Sequence, residues 1–252
     1  MQRAIAAMVS TIYPARCMVC ETYTTAPGGL CPDCWRDTSF ISGSTCTTCS
    51  APLVGEVHGA QCDTCLRLPP PWHRGIAALE YDGSGRKMVL ALKRHDRLDI
   101  APALAGWMLR AGGPVLNRAD LVAPVPLHPS RLFKRKFNQS AELAKHVALQ
   151  ADAPYLPDLL SRFRQTESQQ GKDRIERFEN LKAAIHATPR HRGSLQGKAV
   201  LLVDDVLTTG ATLGACTEAC FAAGAQNVNI LVLARVEPRR KASIFAATNV
   251  KE

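Results

Sequence analysis

The thirteen residues Val200-Leu201-Leu202-Val203-Asp204-Asp205-Val206-Leu207-Thr208-Thr209-Gly210-Ala211-Thr212 restrict this chain more than any other stretch. Four apolar residues predict a buried strand over 199–204, which ends in two carboxylates. A loop of Thr, Gly and Thr then opens onto a helix predicted over 211–224. Loop amides and the positive end of such a helix form an anion site, and threonine hydroxyls add donors. Gly210 lets the backbone approach a phosphate closely. Ionised Asp204 and Asp205 accept hydrogen bonds from a diol. Together these groups suit a ribose 5-phosphate. A nucleotide-binding P-loop is a poor competitor, because Gly193 to Ala199 is short of the spacing and has no Ser or Thr after its lysine.

The flanking pattern predicts an α/β protein. Strands are expected at Gly75–Tyr81, Leu121–Leu127 and 228–234, and helices near 84–95, 97–111 and Gln139–Gln150. Continuous apolar strands alternating with helices indicate a parallel sheet with helices on both faces. Residues 162–182 are polar and charged.

The first third obeys different rules. Eight of the ten cysteines form four C-x2-C pairs: Cys17/Cys20, Cys31/Cys34, Cys46/Cys49 and Cys62/Cys65. Two thiolates at this spacing face one ion, and two such knuckles complete a tetrahedral zinc site. With all ligands thiolate, both zinc ions are structural. The spacing admits a sequential pairing of knuckles and a cross-braced one. The opening residues MQRAIAAMVSTIYP read as a short amphipathic helix and not as a secretory signal, so the expected location is cytoplasmic and the thiols are expected to be reduced. No run of apolar residues is long enough for a membrane span. Triple proline at Pro69–Pro71 sets the expected boundary between residues 1–72 and 73–252.

Charge divides the same way. Residues 1–72 carry four Lys/Arg against five Asp/Glu, whereas residues 73–252 carry 27 against 17, a net of +10. Two zinc ions on eight thiolates take the first segment to near −5. Anionic partners, single-stranded DNA among them, are therefore expected at the second segment.

Position for position, residues 200–212 resemble the signature of type I phosphoribosyltransferases. The order of features along nearly the whole chain resembles the ComF family with a double zinc ribbon. Beyond the knuckles, the resemblance rests on Ala91-Leu92-Lys93 and Arg97-Leu98-Asp99 in a helical hood, Val125-Pro126-Leu127, and Arg135-Lys136-Phe137-Asn138-Gln139-Ser140. Thr166, Gln169, Arg177 and Asn180 complete it. The family pattern has glycine where this chain has Lys136, so a positive φ there would strain the lysine.

The resemblance implies natural competence and the handling of incoming single-stranded DNA. It implies binding of 5-phosphoribosyl-1-pyrophosphate with Mg²⁺. Asp204 and Asp205 would hold the ribose, and Thr208, Thr209, Gly210, Ala211 and Thr212 the 5-phosphate. Arg131 and Arg135 offer guanidinium groups to pyrophosphate. Lys172, Arg174 and Arg177 sit in a loop suited to closing over the site or touching a DNA backbone. Cys216 and Cys220 are expected to be inert buried thiols. The competing reading is a non-catalytic module on the same scaffold that binds single-stranded DNA or a helicase-type competence protein.

Overall fold

The computed structural model describes residues 14–56, 59–94, 97–116, 118–162 and 184–237. The expected N-terminal helix and the loop positions Thr166, Gln169, Lys172, Arg174, Arg177 and Asn180 fall outside them.

The cysteine-rich segment repeats one small design. Residues 16–23 and 45–52 are matching hairpins, closed by the antiparallel bridges Arg16↔Tyr23 and Thr45↔Pro52. In each, the residue after the knuckle turns left-handed, Glu21 at φ 63° and Ser50 at φ 56°. Their amides donate to the carbonyls of Cys17 and Cys46 at 3.1 and 2.9 Å. Each hairpin is followed by a one-turn helix begun by a cysteine, α1 (Pro32–Arg36) after Cys31 and α2 (Asp63–Arg67) after Cys62.

Four parallel strands form the main sheet: β1 (Arg74–Glu80), β2 (Leu121–Pro124), β5 (Ala199–Leu207) and β6 (Asn227–Arg235), in the order β1-β6-β5-β2. A two-stranded antiparallel ribbon, β3 (Leu160–Arg162) with β4 (Ile185–Ala187), stands apart. Along β5, Val200 and Leu202 join one core and Leu201 and Val203 the other, as the period of a strand buried on both faces requires. The second core holds α3 (Gly83–Arg94), α4 (Ala101–Leu116) and α6 (Gln139–Gln150). The first holds α7 (Ala211–Ala222) together with β3 and β4. A short helix, α5 (Pro129–Arg135), lies between β2 and α6. Helices thus cover both faces, as expected. No helix among the described residues is long and apolar enough to cross a membrane.

The second cysteine hairpin completes the sheet. The outer edge of β1 has no strand beside it, yet its polar groups are paired: Gly75 N donates to Thr47 O at 3.2 Å, Ile41 N to Ala78 O at 3.0 Å and Glu80 N to Ser39 O at 2.9 Å. Ser50 fills the gap between these rungs. Its hydroxyl accepts from Ala77 N at 2.9 Å and donates to Gly75 O at 3.1 Å. The approach demands glycine at 75, where a Cβ would lie 2.2 Å from Thr48 O.

Replacing Ser50 by Ala leaves a buried amide and carbonyl of β1 without partners, so it is expected to destabilise the protein by about 1–3 kcal/mol. A lower urea midpoint at unchanged slope is the expected result. An unchanged midpoint would show that water replaces the hydroxyl at this seam.

Candidate functional site

Helix α6, which follows β2, packs on one face of the sheet, and α7, which follows β5, packs on the other. Neighbouring strands whose helices leave to opposite sides open a crevice at their carboxyl ends, where ligands of open α/β sheets bind. Here the crevice is widened by unequal strand lengths. β2 ends at Pro124, and the last rung is Val125 N donating to Val203 O at 2.9 Å. β5 continues beside β6 as far as the pair Leu207↔Arg235. The expected strand end at 204 is thus corrected to Leu207, because β6 supports three more residues. Asp204 and Asp205 therefore stand within the strand, on the stretch that β2 leaves uncovered.

The two carboxylates have different partners. Ser140 Oγ donates to Asp204 Oδ1 at 2.7 Å, and the Asp205 amide donates to the same oxygen at 2.9 Å. Burial, reinforced by the neighbouring Asp205 charge, nevertheless pushes the Asp204 carboxyl up to about 7. Asp205 faces Lys93 of α3, with Nζ 3.0 Å from Oδ1. Neither Ser140 nor Lys93 was singled out for a role from the sequence. Ser140 lay within the Asn-Gln-Ser segment, and Lys93 is far from the carboxylates along the chain, so only the fold could bring it there.

Beyond Leu207 the chain turns through Thr208 and Thr209 into Gly210, whose φ of 78° makes it the left-handed N-cap of α7. Gly210 brings no capping side chain and the first turn holds no acidic residue, although Thr209 Oγ1 accepts from Ala211 N at 3.4 Å. By contrast, Asn138 caps α6 and His128 caps α5. An anion arriving at the amide-bearing start of α7 would displace only that long bond.

The Arg135–Ser140 segment connects the carboxylates to the loop after β2. Asn138 Nδ2 donates to Val125 O at 2.9 Å while its Oδ1 accepts from Ser140 N at 3.1 Å. Arg135 Nη1 donates to Gln139 Oε1 at 3.3 Å, so this guanidinium is tied one residue away from Ser140. Arg131 lies one turn earlier on α5. Lys136 ends α5 at φ 66°, its amide donating to Leu132 O at 2.7 Å. The position where the family pattern has glycine does take a positive φ, and the lysine carries about 1 kcal/mol of strain there.

Cys17, Cys20, Cys31 and Cys34 form one cluster, and Cys46, Cys49, Cys62 and Cys65 another, with the sulfurs of each set all within 4.8 Å of one another. The pairing is sequential. A tetrahedral zinc thiolate site needs sulfurs about 3.8 Å apart; Cys20 and Cys31 are 3.5 Å apart, and Cys49 and Cys62 3.7 Å. The donor sets fit zinc, with every position filled by protein. Cys216 and Cys220 are buried in α7, and desolvation raises both thiols, that of Cys220 to about 12, as expected for inert cysteines.

A family model described as a double zinc ribbon domain matches residues 8–66, and one described as a phosphoribosyl transferase domain matches residues 138–252. DNA utilization protein YhgH of Shigella flexneri is 30% identical over 230 residues, spanning 88% of this chain and 97% of that one. Competence protein F of Haemophilus influenzae is 26% identical over 226 residues, spanning 87% and 96%. The chain belongs to the ComF family. In this ComF chain the phosphoribosyl transferase match begins at Asn138, the cap of α6, and takes in Ser140, both carboxylates and the Thr208–Thr212 loop. A solved structure described as the allosteric regulatory enzyme of purine biosynthesis covers 52% of the ComF chain and 25% of its own, at 23% identity and a TM-score of 0.35.

The raised Asp204 carboxyl carries a sign. A folded-state value near 7, above the ordinary value near 3.9, means that the folded protein holds this proton longer than the unfolded chain. Its favourable contribution is complete below the unfolded value and lost as pH rises through the folded one. Wild type is thus expected to lose stability relative to Asp204→Asn as pH rises from about 4 to 7, and to lose little more above that. Parallel melting curves of the two proteins over that range would contradict the assignment.

Proposed function

We propose that this chain binds 5-phosphoribosyl-1-pyrophosphate with Mg²⁺ at the carboxyl edge of its sheet, as a phosphoribosyltransferase-type protein serving DNA uptake or DNA use. The observation that carries the reading is the succession of two carboxylates, a two-threonine loop and a helix whose N-cap is glycine. In it Asp204 and Asp205 hold the ribose hydroxyls, and Thr208 to Thr212 hold the 5-phosphate by amides and hydroxyls. Arg131 and Arg135 would supply guanidinium groups to the pyrophosphate, whose charge Mg²⁺ offsets. Residues 73–252 form the donor-binding unit, and residues 1–72 the structural zinc unit. In transfer, an acceptor atom bonds to the anomeric carbon while the bond to pyrophosphate breaks and its electron pair leaves with pyrophosphate. The carboxylates stabilise the positive charge that develops on the ribose.

Phosphoribosyl pyrophosphate with Mg²⁺ at millimolar concentration is expected to raise the melting temperature by about 5 °C. The double variant Asp204→Asn, Asp205→Asn should lose most of that shift and still hold two zinc ions per chain. Absence of any shift in wild type would remove the donor from the proposal. Pyrophosphate release with a panel of nucleobases and nucleosides separates turnover from binding alone.

The relatives' names, a DNA utilization protein and a competence protein, support single-stranded DNA as the macromolecular partner, and so does the +10 of residues 73–252. On α5, Phe133 is 91% exposed in the sequence Arg131-Leu132-Phe133-Lys134-Arg135-Lys136, an aromatic ring set among cations. Bases stack on such rings while the cations follow phosphates. Phe133→Ala is expected to weaken oligonucleotide binding by about 1 kcal/mol at every salt concentration. Replacing Lys134, Arg135 and Lys136 together by Ala should flatten the salt dependence. Salt titrations that leave the triple variant's slope at the wild-type value would place the DNA elsewhere.

A further inference from the structure

The triple proline delivers Trp72 to a place between the second zinc site and the loop at the start of α7. The side chain is 4% exposed. Its indole N–H donates to Thr48 O at 2.8 Å, and Thr48 lies between the ligands Cys46 and Cys49. The Thr48 hydroxyl in turn accepts from Gln61 Nε2 at 2.6 Å, one residue before the ligand Cys62. The other end of the indole rests on Gly210, where a Cβ would come 2.8 Å from Cη2 and 3.6 Å from Cζ3. One cavity of about 710 Å³ is lined by Cys49, Cys62 and Cys65, by Trp72 and by Thr208 to Gly210.

The first zinc site stands elsewhere. Gly28 of its ribbon meets Ala103 of α4, where a Cβ would lie 2.8 Å from the alanine Cβ, and Glu21 pairs with Arg97 at 3.4 Å. The two metal sites are alike in build and unlike in what they touch.

A bicyclic ring anchored by its N–H cannot turn away without breaking that bond, and while it stays it fills the space over Gly210. The left-handed cap and the amides behind it are then held in one arrangement. We propose that Trp72 is a positioning residue through which the second zinc site, and not the first, holds the Thr208–Thr212 loop in its anion-accepting shape. The purpose of the loop rests on the ribose-phosphate reading; its restraint by Trp72 does not.

Hydrogen exchange of the full-length zinc-loaded chain tests this. Amides 209–213 are expected to exchange about tenfold faster in Cys62→Ser and in Trp72→Ala, and at the wild-type rate in Cys20→Ser. Trp72→Phe keeps a ring near Gly210 but loses the donor to Thr48 O, so it should regain only part of the protection, with exchange still about threefold faster than wild type. Ribose 5-phosphate, titrated into the same samples, should bind about tenfold more weakly wherever exchange accelerates. Equal acceleration in both cysteine variants would overturn the proposal, as would a protected loop in Cys62→Ser that has lost its metal. Should Trp72→Ala fail to fold, Trp72→Phe and the cysteine pair decide. Wild type that binds no ribose 5-phosphate would sink the ribose-phosphate reading, and the exchange rates would still judge the restraint.

Discussion

Asp204 and Asp205 are consecutive on a buried strand, and two carboxylates so placed cannot both stay charged unless other groups offset the cost. The fold supplies those groups from two different helices. Lys93 reaches Asp205 from α3, and Ser140 reaches Asp204 from the first turn of α6. Both helices belong to the core on one side of the sheet, along with Met88, Leu92, Leu143 and Val147. The packing that stabilises the domain is thus the same packing that brings a cation and a hydroxyl to the acids. What remains is a strained pair, with one carboxyl poised near neutrality by burial. A ligand that brings hydroxyl groups would add donors to the pair.

The cysteine segment shows how a repeated unit comes to have two uses. Each half has the same hairpin, the same left-handed residue after the knuckle and the same cysteine-started helix turn. Such small units have little apolar core, so metal ligation supplies most of their folding free energy. In the first half the left-handed residue is Glu21, which pairs with Arg97 at the surface. In the second it is Ser50, whose hydroxyl takes the place of a strand's backbone beside β1. The residue at this one position marks the divergence between a unit seated on a helix and a unit built into the sheet.

Much of this was legible in the sequence, and the exceptions have physical causes. Helix α6 runs over the expected Gln139–Gln150 because Leu143, Ala144, Val147 and Ala148 repeat at helical spacing. The helix expected to stop at 111 continues to Leu116. Gly112 looks like a terminator but serves close packing, since a Cβ there would lie 2.9 Å from a Leu231 methyl. Helix α5 and the β3–β4 ribbon went unread because they are short and depend on partners distant in the chain. The acids and the threonine loop were visible because they are contiguous. Lys93 stands in the Ala91-Leu92-Lys93 segment of the resemblance, but its partner Asp205 is far along the chain, and nothing local marks Trp72 at all, so only the fold could give either a role. Zinc pairing, open on spacing alone, was decided by sulfur positions.

The seam along β1 also bears on what happens when metal runs short. With the second hairpin unfolded, the Gly75 amide and carbonyl and the Ala77 amide, which Thr47 and Ser50 now satisfy, would be left as open donors and acceptors at the edge of β1. Such an edge accepts a strand from any neighbouring molecule, and Ile76, Ala77, Ala78 and Leu79 form an apolar stretch suited to that pairing. Zinc starvation would therefore yield an adhesive species and not merely an idle one. A metal at Cys46, Cys49, Cys62 and Cys65 would, by holding the hairpin against β1, also guard that edge against self-association.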